Sequence, residues 1–338
     1  MGPSRAPCPL SSGPSPSGIP VTPLFELSIL GVPLGPSDSA SPFVYKKLFD
    51  NLRPIYDKLV SFEDTQAASF LLRVSFSAVR ATHFMRTTPL SVWRSVALSF
   101  DSSVRRTFES IVGFPLSPEA YMQVSLTPKL GGFGLRQVAL HAEVAYNASQ
   151  FEVFSSWGSR LGWSSSPSPS PSQREASFSL DTSILSSLIA SFSSPREKQR
   201  LNRVSQPHAG AWVTAVPSSL DGPDTIIRPL AFRVACRLRL GIPVCHVGAP
   251  CPCCMHTFLD AYGDHAICCT RTGDLIVRHN RIRDLVDKIA SEGHLSPVLE
   301  KKGILGEWAS AGGCHHPFVV RGQRPVCGRG GHLPLHLR

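Results

Sequence analysis

The residues best placed to do chemistry fall in one short window. Cys236, Cys245, Cys251, Cys253, Cys254, Cys268 and Cys269 crowd together there, in a chain of 338 residues with ten cysteines in all. Inside the window the spacing runs Cys251-x2-Cys254-x10-His265-x3-Cys269. A Cys-x-x-Cys turn sets two thiolates on one side of a tetrahedral zinc ion, and a His and a Cys returning after an excursion complete the four donors. Gly263 offers a return turn just ahead of His265. The spacing predicts Zn2+ held by Cys251, Cys254, His265 and Cys269, with Cys253, His256 and Cys268 as neighbours able to substitute. Reduced, partly buried cysteines without a metal are the competing reading. A disulfide scaffold would need a higher cysteine density, evenly spread.

Arginines bracket this window. Arg237 and Arg239 precede it, and Arg271, Arg278, Arg281 and Arg283 follow. Guanidinium groups beside a small rigid knuckle suit phosphate contact better than base reading. For any one of them alone, a solvated helix face is the simpler explanation. The balance of 34 Lys+Arg against 24 Asp+Glu, a net charge of +10, also favours a polyanion, so RNA or DNA is the predicted partner. No stretch approaches the roughly 18 apolar residues a bilayer span needs, so no membrane partner is expected. The first residues lack the apolar run of a secretory signal, and Ala6 stands where myristoylation requires Ser or Thr. No small-molecule substrate is suggested.

A rival zinc constellation is present. His141-Ala142-Glu143 and Pro250-Cys251-Pro252-Cys253-Cys254 together spell the His-x-Glu and Pro-Cys-x-x-Cys elements of zinc nucleobase deaminases. A Ser/Pro-rich stretch separates elements that such a site must hold on neighbouring helices. Gly131-Gly132-Phe133-Gly134 with Arg136 would suit a phosphate cradle, but without a preceding strand it reads as a turn between helices. Serine is abundant everywhere, and no nucleophile elbow marks a hydrolase.

The elements that must position these residues are mainly α. Residues 1–22 read as disordered and 23–154 as a helical module. In that module Asp64 caps a helix running to about Arg86, 43–60 is helical with a kink at Pro54, 93–112 is a helix stopped by Gly113, and 136–154 is another. Residues 155–207 read as a disordered Ser/Pro linker with a short helix at 184–192. A basic helical connector follows at 208–245, a zinc knuckle at 246–272, and from 273 an α/β segment that opens with a helix at 279–291 and loses its pattern after Glu307.

In order along the chain, several segments resemble the C-terminal part of non-LTR retrotransposon reverse-transcriptase polyproteins. The resemblance spans about 30–305 and rests on Leu30-Gly31-Val32-Pro33-Leu34-Gly35, on Leu130-Gly131-Gly132-Phe133-Gly134-Leu135-Arg136 with Ala145-Tyr146-Asn147-Ala148-Ser149, on Gly210-Ala211-Trp212-Val213-Thr214-Ala215-Val216-Pro217 and on Arg237-Leu238-Arg239-Leu240-Gly241. Its most specific pieces are Leu259-Asp260-Ala261-Tyr262-Gly263-Asp264-His265-Ala266 and Arg278-His279-Asn280-Arg281-Ile282-Arg283-Asp284. The resemblance implies that 23–154 is similar to the thumb and that 273–338 begins a restriction-like endonuclease.

It also implies that this chain is not an enzyme by itself. The family's paired palm aspartates, which hold two metals for nucleotidyl transfer, have no counterpart here. Glu300 with Lys301 matches the first acidic element of the nuclease, but no aspartate follows Asp287, so the nuclease is expected to be truncated and vestigial. A shifted reading frame is one hypothesis for that loss: codons permitted for Val326-Cys327-Gly328-Arg329-Gly330, read one base later, encode Ser-Ala-Asp-Val. The expectation is a non-catalytic nucleic-acid-binding fragment, in the nucleus or the cytoplasm, with the nucleus slightly favoured by the resemblance. An inert or adaptor-type zinc protein, such as a pseudogene product, is the alternative; a zinc deaminase comes third.

Overall fold

The computed structural model describes residues 27–158, 160–163, 169, 171–217, 226–299 and 318–320. The chain is mainly helical and divides into two units, Met1–Val244 and Cys245–Arg338. Among the described residues, no helix is long and apolar enough to cross a membrane.

Unit 1 opens with a two-residue hairpin, β1 (Ser28–Ile29) against β2 (Val32–Pro33). Helices α1 (Ser37–Phe49), α2 (Arg53–Val60), α3 (Thr65–Ser75) and α4 (Ala78–Thr87) follow. The kink predicted at Pro54 is a full break: Pro54 sits in the first turn of α2, where its missing N–H has no helical partner to lose. Asp64 caps α3 as expected, accepting from Ala67 N at 2.9 Å.

The single helix predicted from there to Arg86 is split at Phe76–Ser77. The groups released by the split find partners. The Tyr56 hydroxyl donates to Phe76 O at 2.8 Å, and Ser77 Oγ donates to Arg73 O at 2.9 Å.

The long α5 (Leu90–Val112) is the axis of the unit and buries Trp93, Phe100, Val104 and Phe108. Gly113, at φ +76°, ends it in the left-handed conformation. After α6 (Pro118–Ser125) and a 3-10 turn at Pro128–Leu130, the glycine-rich segment turns the chain toward α7 (Val138–Trp157). A Cβ on Gly132 would lie 2.0 Å from Leu126 O, so this glycine serves close backbone packing in a turn between helices. The first N–H groups of α7 are held by Asp101 of α5: Val138 N donates to Oδ1 at 2.7 Å and Ala139 N to Oδ2 at 2.9 Å.

The stretch expected to be a linker is largely helical. Helix α8 (Gln173–Ser191) starts with a reciprocal capping box between Ser172 and Glu175, and α9 (Pro195–Val204) follows. Residues 164–168 and 170 of the Ser/Pro tract, and the predicted disordered 1–22, lie outside the described residues. Asp181 of α8 is buried against α7, with its Oδ2 2.8 Å from Arg136 Nη2 and its Oδ1 3.2 Å from His141 Nε2. Composition misled here because serine is frequent in α8, yet the helix is capped and buries Ser177, Asp181 and Leu188.

After the short α10 (Ala211–Thr214), α11 (Pro229–Leu240) carries Phe232, Cys236 and Leu240 into the same core as Phe108, Val124 and Phe133. The basic connector is thus an integral part of unit 1.

Unit 2 contains α12 (Asp264–Cys268), a 3-10 turn at Thr270–Thr272, and α13 (Asp274–Glu292), which begins five residues before the predicted 279–291 helix. An antiparallel pair, β3 (Pro297–Leu299) with β4 (Phe318–Val320), is in register Val298 to Val319.

Candidate metal centre

The Cys251–Cys269 segment is organised by a small hairpin before any metal is considered. Pro250 and Phe258 form an antiparallel bridge. Leu259 N donates to Ala249 O at 2.8 Å, and Cys251 N to Thr257 O at 2.8 Å. At the tip, Met255 N returns to Cys251 O at 2.9 Å, and Met255 itself takes a positive φ of 60° as the chain leaves the turn. This turn lifts Cys251 and Cys254 onto one side. Asp260 then shapes the second half: its carboxylate accepts from Tyr262 N (2.9 Å), Asp264 N (3.1 Å) and His265 N (2.9 Å). Gly263 turns the chain at φ +74°, and α12 presents His265 beside the Cys-x-x-Cys turn.

The donor atoms of Cys251, Cys254, His265 and Cys269 all lie within 4.8 Å of one another. Cys251 Sγ is 3.9 Å from Cys269 Sγ, and Cys254 Sγ is 3.4 Å from His265 Nε2. Ligands about 2.3 Å (S) and 2.0 Å (N) from a tetrahedral ion sit roughly 3.5–3.8 Å apart. Those two separations bracket that range, so the residues fit a metal ion. Cys251 and Cys269 are buried, and Cys254 and His265 are half-buried. The neighbours named by sequence stand differently: the Cys253 and Cys268 thiols are exposed, and so is His256.

Backbone N–H groups point into the cluster. The His256 N–H, countered by desolvation and aided by the Thr257 N–H, brings the Cys254 thiol down to about 6. The N–H groups of Cys254 and Cys253 lower Cys251 as well. The Arg271 N–H favours the Cys269 thiolate, but desolvation and the neighbouring Cys251 and Cys254 outweigh it and raise that thiol. The Cys251 and Cys254 side chains raise His265 above its ordinary value. Burial opposes charge on Asp260, yet the N–H groups of His265, Asp264 and Tyr262 together hold its carboxyl below the ordinary range. N–H groups that favour the Cys251 and Cys254 thiolates make this side of the cluster suited to a cation.

The arginines separate into two groups. Arg239 is only 3 % exposed. Its guanidinium donates to Pro128 O (2.9 Å), Ala209 O (3.0 Å) and Gly132 O (3.3 Å), and lies over the rings of Phe133 and Trp212. Burial pushes it down to about 10. The expectation that Arg239 contacts nucleic acid is therefore corrected: its donors are spent on the carbonyls of the glycine turn. Arg237 is half-buried, packed over Phe114 and donating to Pro243 O at 2.8 Å. In unit 2, Arg271, Arg278 and Arg281 are exposed, Arg278 donating to Ile267 O, while Arg283 is half-buried beside Asp284, 2.7 Å away. Glu300, Lys301 and residues 326–330 lie outside the described residues.

His141 has another role than the deaminase pattern requires. It is buried in unit 1 beside Asp181, Glu143 is exposed, and the four-donor cluster is complete without either. Sequence reasoning missed the functions of Asp260, Asp101 and Asp181. Asp260 had a readable sign, an Asp just before a Gly turn, where Asx side chains accept backbone N–H groups. Comparison of the chain with family models, with curated proteins and with solved structures returns no match.

Proposed function

We propose that this chain binds RNA or DNA through a zinc-organised knuckle and the arginines beside it, and catalyses no reaction on its own. The observation that carries the reading is the convergence of Cys251, Cys254, His265 and Cys269 within 4.8 Å. Zn2+ is the ion of choice for three thiolates and one imidazole. Four protein donors leave no position for a reactive water, so zinc here would tie the hairpin to α12. Arg271 follows Cys269 by two residues, and Arg278 and Arg281 are exposed on α13 in the same unit. The likeness to retrotransposon polyproteins supports a nucleic-acid partner, with residues 23–154 as the thumb-like part.

The test is fluorescence anisotropy of the full chain with labelled RNA and DNA across a salt series, before and after chelation. Affinity should fall steeply with salt through counterion release and weaken when the metal is stripped. Binding indifferent to both treatments would sink the reading.

One observation favours a second reading, an adaptor-type zinc protein. Ile282, Leu285 and Ile289, on one face of α13, are all more than half exposed, as an apolar face for a protein partner would be. In that case chelation would leave nucleic-acid binding unaltered.

A further inference from the structure

The C-terminal end of α7 carries an aromatic turn remote in sequence from the metal ligands. Gly158 N donates to Phe154 O (2.7 Å), Leu161 N to Trp157 O (3.0 Å) and Trp163 N to Gly158 O (3.0 Å). These bonds fold residues 160–163 back onto the helix end, with Gly162 at φ +67°. The Trp163 ring stacks on Phe154, with centroids 6.1 Å apart and planes 28° from parallel. The Arg160 guanidinium lies over the Trp157 ring at 5.3 Å. Despite this ordering, Trp157 is 51 % and Trp163 47 % exposed.

Two half-exposed indoles on a hydrogen-bonded turn forgo much of the stabilisation that burying such large rings would give. We propose that this turn is a stacking platform for unpaired bases, with Arg160 placed to meet the phosphate beside a stacked base. Three features select a single-stranded nucleic acid as the occupant. Indole faces accept any base, and a neighbouring guanidinium supplies both a stacking plane and a phosphate contact. The acid nearest on α7, Glu152, is paired with Arg86 at 2.8 Å, which lessens repulsion of a phosphate. The chain as a whole carries +10. The inference shares the nucleic-acid class with the proposed function and uses none of its residues. In a duplex the base faces are already stacked, so the platform discriminates by strandedness.

The test uses the full, zinc-loaded chain with a labelled oligo-uridine or oligo-thymidine and a duplex of the same length. Single strands should bind more tightly than duplex and quench tryptophan emission. Trp157→Ala and Trp163→Ala should each weaken single-strand binding about 5- to 100-fold while leaving duplex affinity within about twofold. Trp163→Phe, which keeps a ring on Phe154, should recover most of the loss, and an unaltered thermal melt shows that the variants fold. Equal losses for single strand and duplex, no loss at all, or quenching by phosphatidylcholine vesicles but not by oligonucleotides would each overturn the platform. Cys254→Ser separates the two ideas. If it weakens binding while the tryptophan variants do not, the knuckle stands and the platform falls; if only the tryptophan variants act, the reverse holds.

Discussion

The Cys254 sulfur lies 3.4 Å from His265 Nε2, although ten residues separate them in sequence. Two local devices make that approach: the Met255 turn returning to Cys251 O, and the Asp260 carboxylate gathering the N–H groups of Tyr262, Asp264 and His265. Both are formed by backbone and carboxylate alone, and they bring together four donors that could hold a metal ion. The full chain should therefore take up one Co2+ with the strong visible absorption of a tetrahedral thiolate site. Cys254→Ser and His265→Ala should abolish or greatly weaken that signal, whereas His141→Ala should leave it intact. Loss of cobalt binding in His141→Ala would revive the deaminase arrangement.

Asp260 is expected to matter almost as much as a ligand. Asp260→Ala removes an acceptor shared by three N–H groups, including that of His265. Loss of an orienting outer partner of a metal ligand typically costs 10- to 100-fold in metal affinity. Competition with a chromophoric chelator measures this directly. An affinity unchanged from the native chain would mean that the α12 start holds itself.

The cysteine spacing, the helical class, the Asp64 cap and the Gly113 stop were legible because each is local: the relevant partners lie within a turn or two in sequence. What escaped was long-range. Arg239 reads as a cationic residue on a basic helix, and only the fold reveals the carbonyls of Pro128 and Gly132 waiting for it more than a hundred positions away. The Asp181 contacts with Arg136 and His141 are of the same kind, and they convert a serine-rich stretch into a docked helix. Phe76 is intermediate: the periodicity runs straight through it, but the Tyr56 hydroxyl takes its carbonyl and stabilises the break.

Arg239 and Arg281 should respond oppositely to mutation. Arg239→Ala would leave several buried carbonyls without donors and open a gap between Phe133 and Trp212, costing about 3 kcal/mol or more. Urea unfolding should show that loss. Arg281→Ala should hardly change stability, and it should weaken nucleic-acid binding and lower the slope of log affinity against log salt by about one. An Arg239 variant of normal stability would restore it as a surface residue.

Asp181 is a clasp between α8 and α7. Asp181→Ala strips the buried partner from Arg136 and His141 and should cost about 2–4 kcal/mol. The effect should be localised. Hydrogen exchange should accelerate across Gln173–Ser191 while α5 stays protected. Uniform acceleration through both helices would instead make α8 part of the global cooperative core.

Asp101 gives unit 1 a pH dependence whose sign follows from its setting. Burial, opposed by the N–H groups of Ala139 and Val138, pushes its carboxyl up from an ordinary 3.8 to about 7. A group bound more tightly to its proton in the folded state contributes stability that is fully present below about pH 4 and is lost as pH rises through about 7. At about 1.4 kcal/mol per pH unit, the decline across this window reaches roughly 4 kcal/mol for this one group. Asp101→Asn removes the titration. It keeps one acceptor for Val138 or Ala139 and turns an amide donor toward the other, at a pH-independent cost of about 1–2 kcal/mol. The measurement is the urea midpoint of the native chain and of Asp101→Asn from pH 4 to pH 8. The native curve should fall more steeply with pH, and the two should converge or cross near neutrality; parallel curves would show that Asp101 stays ionised throughout, held as a carboxylate by the two N–H groups at the start of α7.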